Sequence, residues 1–380
     1  MSDFVIYGQP FAVFLFSIIP LLMIGTRFGL GSTTALALYL WHTGLCFVII
    51  YYVSIFGGDQ LQYYEYSLIG ITWVGKDIVF GFGTAFVTWF TRIFSAGLGF
   101  TYISTILVFN FIGSIGLVIF ASSIIELSRL SRYPVTWLTW VVIFLPSLGI
   151  WTCSISKDAF SFLAVALFIK ATMCGRNHNA MVFLSILLMT LVRPHIGLCL
   201  LISTLFLHAL RIKMSIASIV LLSVLGTVAL YLVAPLVATM LNLPDFSADT
   251  LAGFIEERGK QADRRDDAAF WYSQSVPVRI LMTAFYPTLL SASGILQLIV
   301  AAENIILTLM FAALCWMSMA RFRLYQEDIH FWAYTMLTWF ILGSIMYNSG
   351  LAARQKWMFV PVFLFLALKY LGSAHNRNLR

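Results

Sequence analysis

An all-α polytopic membrane protein is what this sequence predicts, on three observations. The chain is far more apolar than a water-soluble domain: 61% of its 380 residues are hydrophobic, 10% are charged and the mean hydropathy is +0.91, where soluble domains carry about 25% charge. The apolar residues fall in runs near the ~20 residues that a spanning helix needs. The basic residues gather in alternate connections between those runs, as the retention of Lys and Arg on the cytoplasmic side requires. One transmembrane domain over residues 1–380 follows, without a soluble domain or a repeat of fixed period.

About eleven spans are expected, centred near Ile18, Phe47, Phe109, Ile143, Leu163, Leu187, Leu201, Val228, Leu309, Leu337 and Leu364. The sixth and seventh are short and split only by "RPH", so they read equally as a re-entrant pair. Arg27, Arg129 with Arg132, Arg176, Arg211 with Lys213, Arg321 with Arg323, and Arg377 with Arg380 mark the cytoplasmic connections. The N-terminus then lies outside and the C-terminus inside. The acids agree: only Glu126, Glu327 and Asp328 fall inside, and Glu303 sits within the ninth apolar segment, where a carboxylate is a functional candidate by default. The opening residues lack a basic n-region, so no cleavable signal is expected. The five scattered cysteines show neither ligand nor disulfide spacing and read as small hydrophobes. Basic loops beside anionic lipid account for the net charge of +7, and no nucleic-acid partner is needed.

The outer face stands out. It has two long loops, 57–100 and 243–293, expected to carry interfacial helices, and three short turns that all bear charge. Those turns hold Lys157 with Asp158, Arg193 with His195, and Arg354 with Lys356. Positive charge in short outer turns opposes the usual bias, and three such turns on one face point to a shared polar site.

In "GGDQLQYYEYS" two glycines turn the chain directly into Asp59 at the membrane boundary, where a carboxylate suits a general base or a metal ligand. Tyr63 and Tyr64 suit a sugar-stacking wall or an interfacial belt. The loop continues through Lys76 and Asp77 to an aromatic stretch with Arg92, read as a helix in the interface plane. "GFGTAF" lacks the lysine and spacing of a phosphate loop. In "LPSLGIWTCSISKDA", Pro146 ends or kinks the fourth helix, and Ser147, Ser154 and Ser156 are available to cap. Asp158 suits the positive end of the fifth helix. Lys157 opposes that dipole and makes sense beside an anion such as a phosphate. Arg193 offers a bidentate grip on phosphate oxygens, and His195 a proton carrier or ligand. In the second long loop, a charged run precedes Trp271, Tyr272 and Arg279, which suit a carbohydrate or a lipid phosphate. In the last turn Arg354 opens the final span, and Lys356 reads as a snorkelling lysine.

Taken in order, "GGDQLQYY", the interfacial loop, "SISKDA", "VRPHIG" and "SGLAARQKWMFVP" resemble the C-type multispan glycosyltransferases of bacterial exopolysaccharide and O-antigen assembly. The resemblance implies a bacterial inner-membrane enzyme with its active site facing the periplasm or exterior. Its donor would be a sugar on a polyprenyl (di)phosphate, and its acceptor a glycan or lipid-linked sugar in the surrounding lipid. It implies a catalytic Asp59, with Asp158 as the second-loop acid, and a carrier phosphate held by Lys157, Arg193, His195, Arg354 and Arg279, with Tyr63 and Tyr64 nearby. Two features depart from the family pattern: one span precedes the span leading to the acidic loop, and no large soluble C-terminal domain follows. No nucleotide is needed, and the acids are too dispersed to assign a metal, although a divalent ion is compatible. A polymerase joining lipid-linked repeat units fits the same residues. A transporter or flippase would place charge deep in several spans, whereas here charge gathers at one surface.

Overall fold

The computed structural model describes residues 7–71, 75, 77–131, 136–173, 179–211, 268–321 and 328–373. The expected span near Val228, Lys76 and the charged run before Ala268 lie outside them. The described residues form helices joined by turns and loops, with one isolated bridge between Ile71 and Asp77 and no strand among them, as the all-α expectation required.

Four helices are long and apolar enough to cross a bilayer: α1 (Gln9–Arg27), α2 (Ser32–Phe56), α5 (Tyr102–Leu130) and the Ile295–Met317 part of α13 (Ile295–Arg321). A fifth span forms if α15 (Ser349–Gln355) and α16 (Val360–Ser373) are one bent element, with an angle of 58° between their segments. Shorter apolar helices accompany them: α6 (Thr136–Ile143) with α7 (Pro146–Thr152), α9 (Asn179–Val192), α10 (Pro194–Arg211), α12 (Val276–Phe285) and α14 (Ile329–Ile345). The remaining helices are α3 (Asp59–Ile69), α4 (Thr84–Arg92), α8 (Lys157–Met173) and α11 (Ala268–Ser273). Large side chains such as Phe16, Ile19, Met23, Tyr51 and Trp316 face outward, as expected of surfaces whose solvent is lipid.

Small and polar residues hold the bundle together, as between membrane helices generally. Gly116 of α5 packs on the α8 backbone: a β-carbon there would lie 3.1 Å from the Leu163 nitrogen. Gly113, one turn earlier, seats the Thr152 carbonyl of α7. His42 of α2 is fully buried between these helices. Its Nδ1 pairs with Asn110 Oδ1 at 2.7 Å and its Nε2 with Thr152 Oγ1 at 2.9 Å. Three helices are thereby keyed at a single imidazole.

The fourth apolar run breaks where Pro146 was expected to break it: α6 ends at Ile143 and α7 restarts at Pro146. The "RPH" joint turns sharply, and α9 and α10 pack on each other, with Gly197 seated against Thr190. At the opposite end of the bundle from the site described below, Lys170 pairs with Glu126 and Lys369 with Asp328, both at 2.6 Å.

Candidate functional site

Four helix ends converge, and each brings one charge. Gly57, at a φ of +72°, turns the chain from α2 into α3. Left-handed backbone of this kind favours glycine. Asp59 is therefore the first residue of α3, held at the end of a long apolar helix. Asp158 lies in the first turn of α8, and its own N–H donates to Ser156 Oγ at 3.2 Å. Arg193 is the joint between α9 and α10: its N–H donates to the Met189 carbonyl at 2.7 Å, and its carbonyl accepts from Gly197 at 2.9 Å. Arg354 is in the last turn of α15, which Asn348 starts by accepting from the Leu351 N–H at 2.7 Å.

These side chains form one continuous charge chain. Asp158 is buried, and both its oxygens are taken by guanidiniums. Arg193 Nη2 donates to Oδ1 at 2.9 Å, and Arg354 Nε donates to Oδ2. Arg354 then reaches outward, and its Nη1 donates to Asp59 Oδ2 at 3.0 Å. Exposure separates the two acids: the Asp158 side chain is 3% exposed and that of Asp59 is 58% exposed. Asp158 is committed to fixing two arginines. Asp59 keeps one oxygen outside the chain and faces the open side.

Around this chain lie several of the other expected residues. The Arg354, Asp59 and Asp158 charges all act on Tyr63, whose hydroxyl is hydrogen-bonded to Thr84. Burial raises the Tyr63 phenol above its ordinary range, Arg354 opposing, so it stays a neutral hydroxyl. The Lys157 and Arg193 charges both act on His195, in the first turn of α10, so two cations flank a neutral imidazole. The glycine-rich stretch that is not a phosphate loop closes over this flank. The Gly83 N–H donates to the Leu191 carbonyl at 2.7 Å, and a β-carbon on Gly83 would lie 3.8 Å from Lys157 Nζ.

Two expected site residues, Tyr64 and Arg279, fall elsewhere, as does Arg92 of the interfacial loop. Tyr64 turns toward the bundle, donating to the Phe100 carbonyl at 2.9 Å, with its ring against Tyr102. Arg92 lies over Gly70 and donates to the Ser67 carbonyl at 2.9 Å, closing its own loop. Arg279 does not touch the charge chain: it is buried on α12, which packs on α15. No hydrogen bond or ion pair engages its guanidinium among the described residues, and its Nε is sealed without a partner. Lys356 departs from its reading as a snorkelling residue: it is fully buried and donates to Asn304 Oδ1 at 2.6 Å. Sequence reasoning passed over His42 because one histidine within an apolar run carries no spacing signal.

A divalent ion fits this geometry poorly. Asp158 has both oxygens on guanidiniums, which leaves Asp59 alone, and among the described residues no three His, Cys, Asp or Glu side chains form a metal-binding group.

Comparison with protein families, with curated proteins and with solved structures finds no match. The chemistry is therefore argued from the site itself.

Proposed function

We propose that the chain is a membrane glycosyltransferase that moves a sugar from a polyprenyl (di)phosphate carrier to a glycan or lipid-linked acceptor at the outer face of a bacterial inner membrane. The observation that carries this reading is the charge chain from Asp59 through Arg354 and Asp158 to Arg193, set at one end of a lipid-facing bundle. The motif resemblance to C-type glycosyltransferases supports it. In this reading the shorter apolar helices are also spans, and the total is about eleven.

Asp59 takes the proton of an acceptor hydroxyl as its oxygen bonds to the anomeric carbon. The bond from that carbon to the carrier phosphate breaks, and the phosphate oxygen leaves with the electron pair. Cations preset by the fold stabilise that growing charge. Arg354 and Arg193 are held in place by Asp158, while Lys157 and Arg279 supply charge from the flanks. Asp158 in this scheme orients arginines and does not carry a proton. The neutral Tyr63 hydroxyl borders the reacting groups as a donor.

Asp59→Asn keeps the shape and removes the base. It is expected to lower transfer from a polyprenyl-phosphate sugar at least ~100-fold, with thermal stability in detergent unchanged. Wild-type transfer rates in that variant would sink the assignment. Arg279→Met removes a cation that has no partner among the described residues, and is expected to weaken donor binding with little change in the thermal stability of the ligand-free protein. A drop in stability with unchanged donor affinity would make Arg279 structural.

A further inference from the structure

Glu303 and Lys356 take no part in the charge chain, yet both are buried, at 3% and 0% exposure. Glu303 lies on α13. Its Oε1 accepts from the Ser147 backbone N–H at 2.7 Å, and its Oε2 accepts from the Ser147 hydroxyl. Ser147 follows Pro146 at the start of α7, where the fourth apolar run is broken. A break inside a membrane leaves backbone donors that hydrocarbon cannot satisfy, and Glu303 supplies the acceptor from the neighbouring helix. Asn304 makes the second grip. Its Oδ1 accepts from Lys356 Nζ at 2.6 Å, and its Nδ2 donates to the Pro287 carbonyl at 2.9 Å. The Lys356 charge also acts on Glu303.

The connectivity gives these contacts a consequence. Lys356 opens the tight turn directly after α15, whose last helical turn carries Arg354. From Ser147, α7 leads through Cys153–Ser156 into α8 and Asp158. The Glu303–Asn304 dipeptide therefore holds both segments that deliver the Asp158–Arg354 ion pair. We infer that Glu303, Asn304 and Lys356 are positioning residues that set the distance and angle between Asp158 and Arg354, and through Arg354 the placement of Asp59. This inference rests on the transfer reaction proposed above. Buried charged side chains are a weak source of stability compared with apolar ones of the same shape, so a role in geometry accounts for keeping these two.

The test uses the full chain in detergent, with a synthetic polyprenyl-phosphate hexose as donor. Glu303→Gln and Lys356→Met each remove one buried charge and leave the other without the opposite charge nearby, and both are expected to lower thermal stability. The double variant removes both charges and is expected to recover the wild-type melting temperature. Its kcat stays about 10- to 100-fold down, because misplacement by an ångström costs that much, while KM moves less than about twofold. If kcat returns with the melting temperature, the pair is structural and the inference is overturned. A second readout does not need turnover. Arg354→Gln is made in the wild-type and in the double-variant backgrounds, and its melting shift is expected to be at least halved in the latter. Equal shifts in both would overturn the inference. Absence of transfer by the wild-type protein would count against the proposed function alone, and the melting comparison would still decide the positioning role.

Discussion

Two aspartates that look interchangeable in the chain are made different by their surroundings. Asp158 is sealed beneath Arg193 and Arg354, and Asp59 stands at the rim on the same Arg354. Their substitutions should therefore separate stability from activity. Asp158→Asn leaves two buried guanidiniums without their counter-charge and is expected to cost about 3–5 kcal/mol. Asp59→Asn gives up one rim contact, worth less than about 1 kcal/mol. Thermal unfolding of the two variants side by side checks this, and equal losses would contradict the assignment of roles. The membership of this cluster was legible in the sequence, because charges in short turns, and an aspartate directly after two glycines, are conspicuous among apolar runs. The pairing was not. Nothing in "SISKDA" says that both Asp158 oxygens meet arginines from helices that lie far away in the chain, since that depends on where α9 and α15 end in space. Lys356 was misread for the same reason: a lysine near a helix end ordinarily reaches outward, and only the arrival of Asn304 from α13 turns it inward.

At the scale of elements, the site exists because interrupted helices stop at the right depth. α7 restarts at a proline, α9 and α10 meet at Arg193, and α15 bends into α16. Pro146 and the "RPH" joint made the first two interruptions readable beforehand, whereas the bend between α15 and α16 falls within what reads as one continuous final span. The partner that satisfies each broken end was not readable, because acceptors such as Glu303 come from remote segments. What sets the mutual distance of these elements is α5, whose small residues let α7 and α8 approach. Gly113 already seats the Thr152 carbonyl and the His42 ring, so a side chain there must push α7 outward and with it the lead into Asp158. Gly113→Leu is expected to cost at least ~3 kcal/mol through overpacking and to lower the yield of folded protein on size exclusion. Gly44→Leu, on α2 where nothing lies within 4 Å of an added β-carbon, is the matched control and should leave the elution profile unchanged. Loss in both would mean that large side chains are simply not tolerated in these helices.

Taken as a whole, the molecule gathers ion pairs at both ends of its bundle, and which end faces which side bears on the choice of donor. Asp59, Lys157, Asp158, Arg193 and Arg354 gather at one end, while Glu126 with Lys170 and Asp328 with Lys369 anchor the other. The rule that retains Lys and Arg inside assigns the second end to the cytoplasm through Arg27, Arg129, Arg211 and Arg321. In the proposed function, a site at the first end meets lipid-linked sugars and not nucleotide sugars. The orientation can be measured directly. Leu290, in the exposed connection before α13, and Leu130, at the end of α5, are both solvent-facing. Each is changed to cysteine in a background where Cys174 and Cys315 are alanine, the remaining Cys46, Cys153 and Cys199 being buried. A membrane-impermeant maleimide added to intact spheroplasts is expected to label Leu290→Cys, and to label Leu130→Cys only after the membrane is opened. The reverse pattern would turn the site toward the cytoplasm, where soluble nucleotide sugars compete as donors, and the lipid-phosphate role given to Arg193, Arg354 and Arg279 would fall with it.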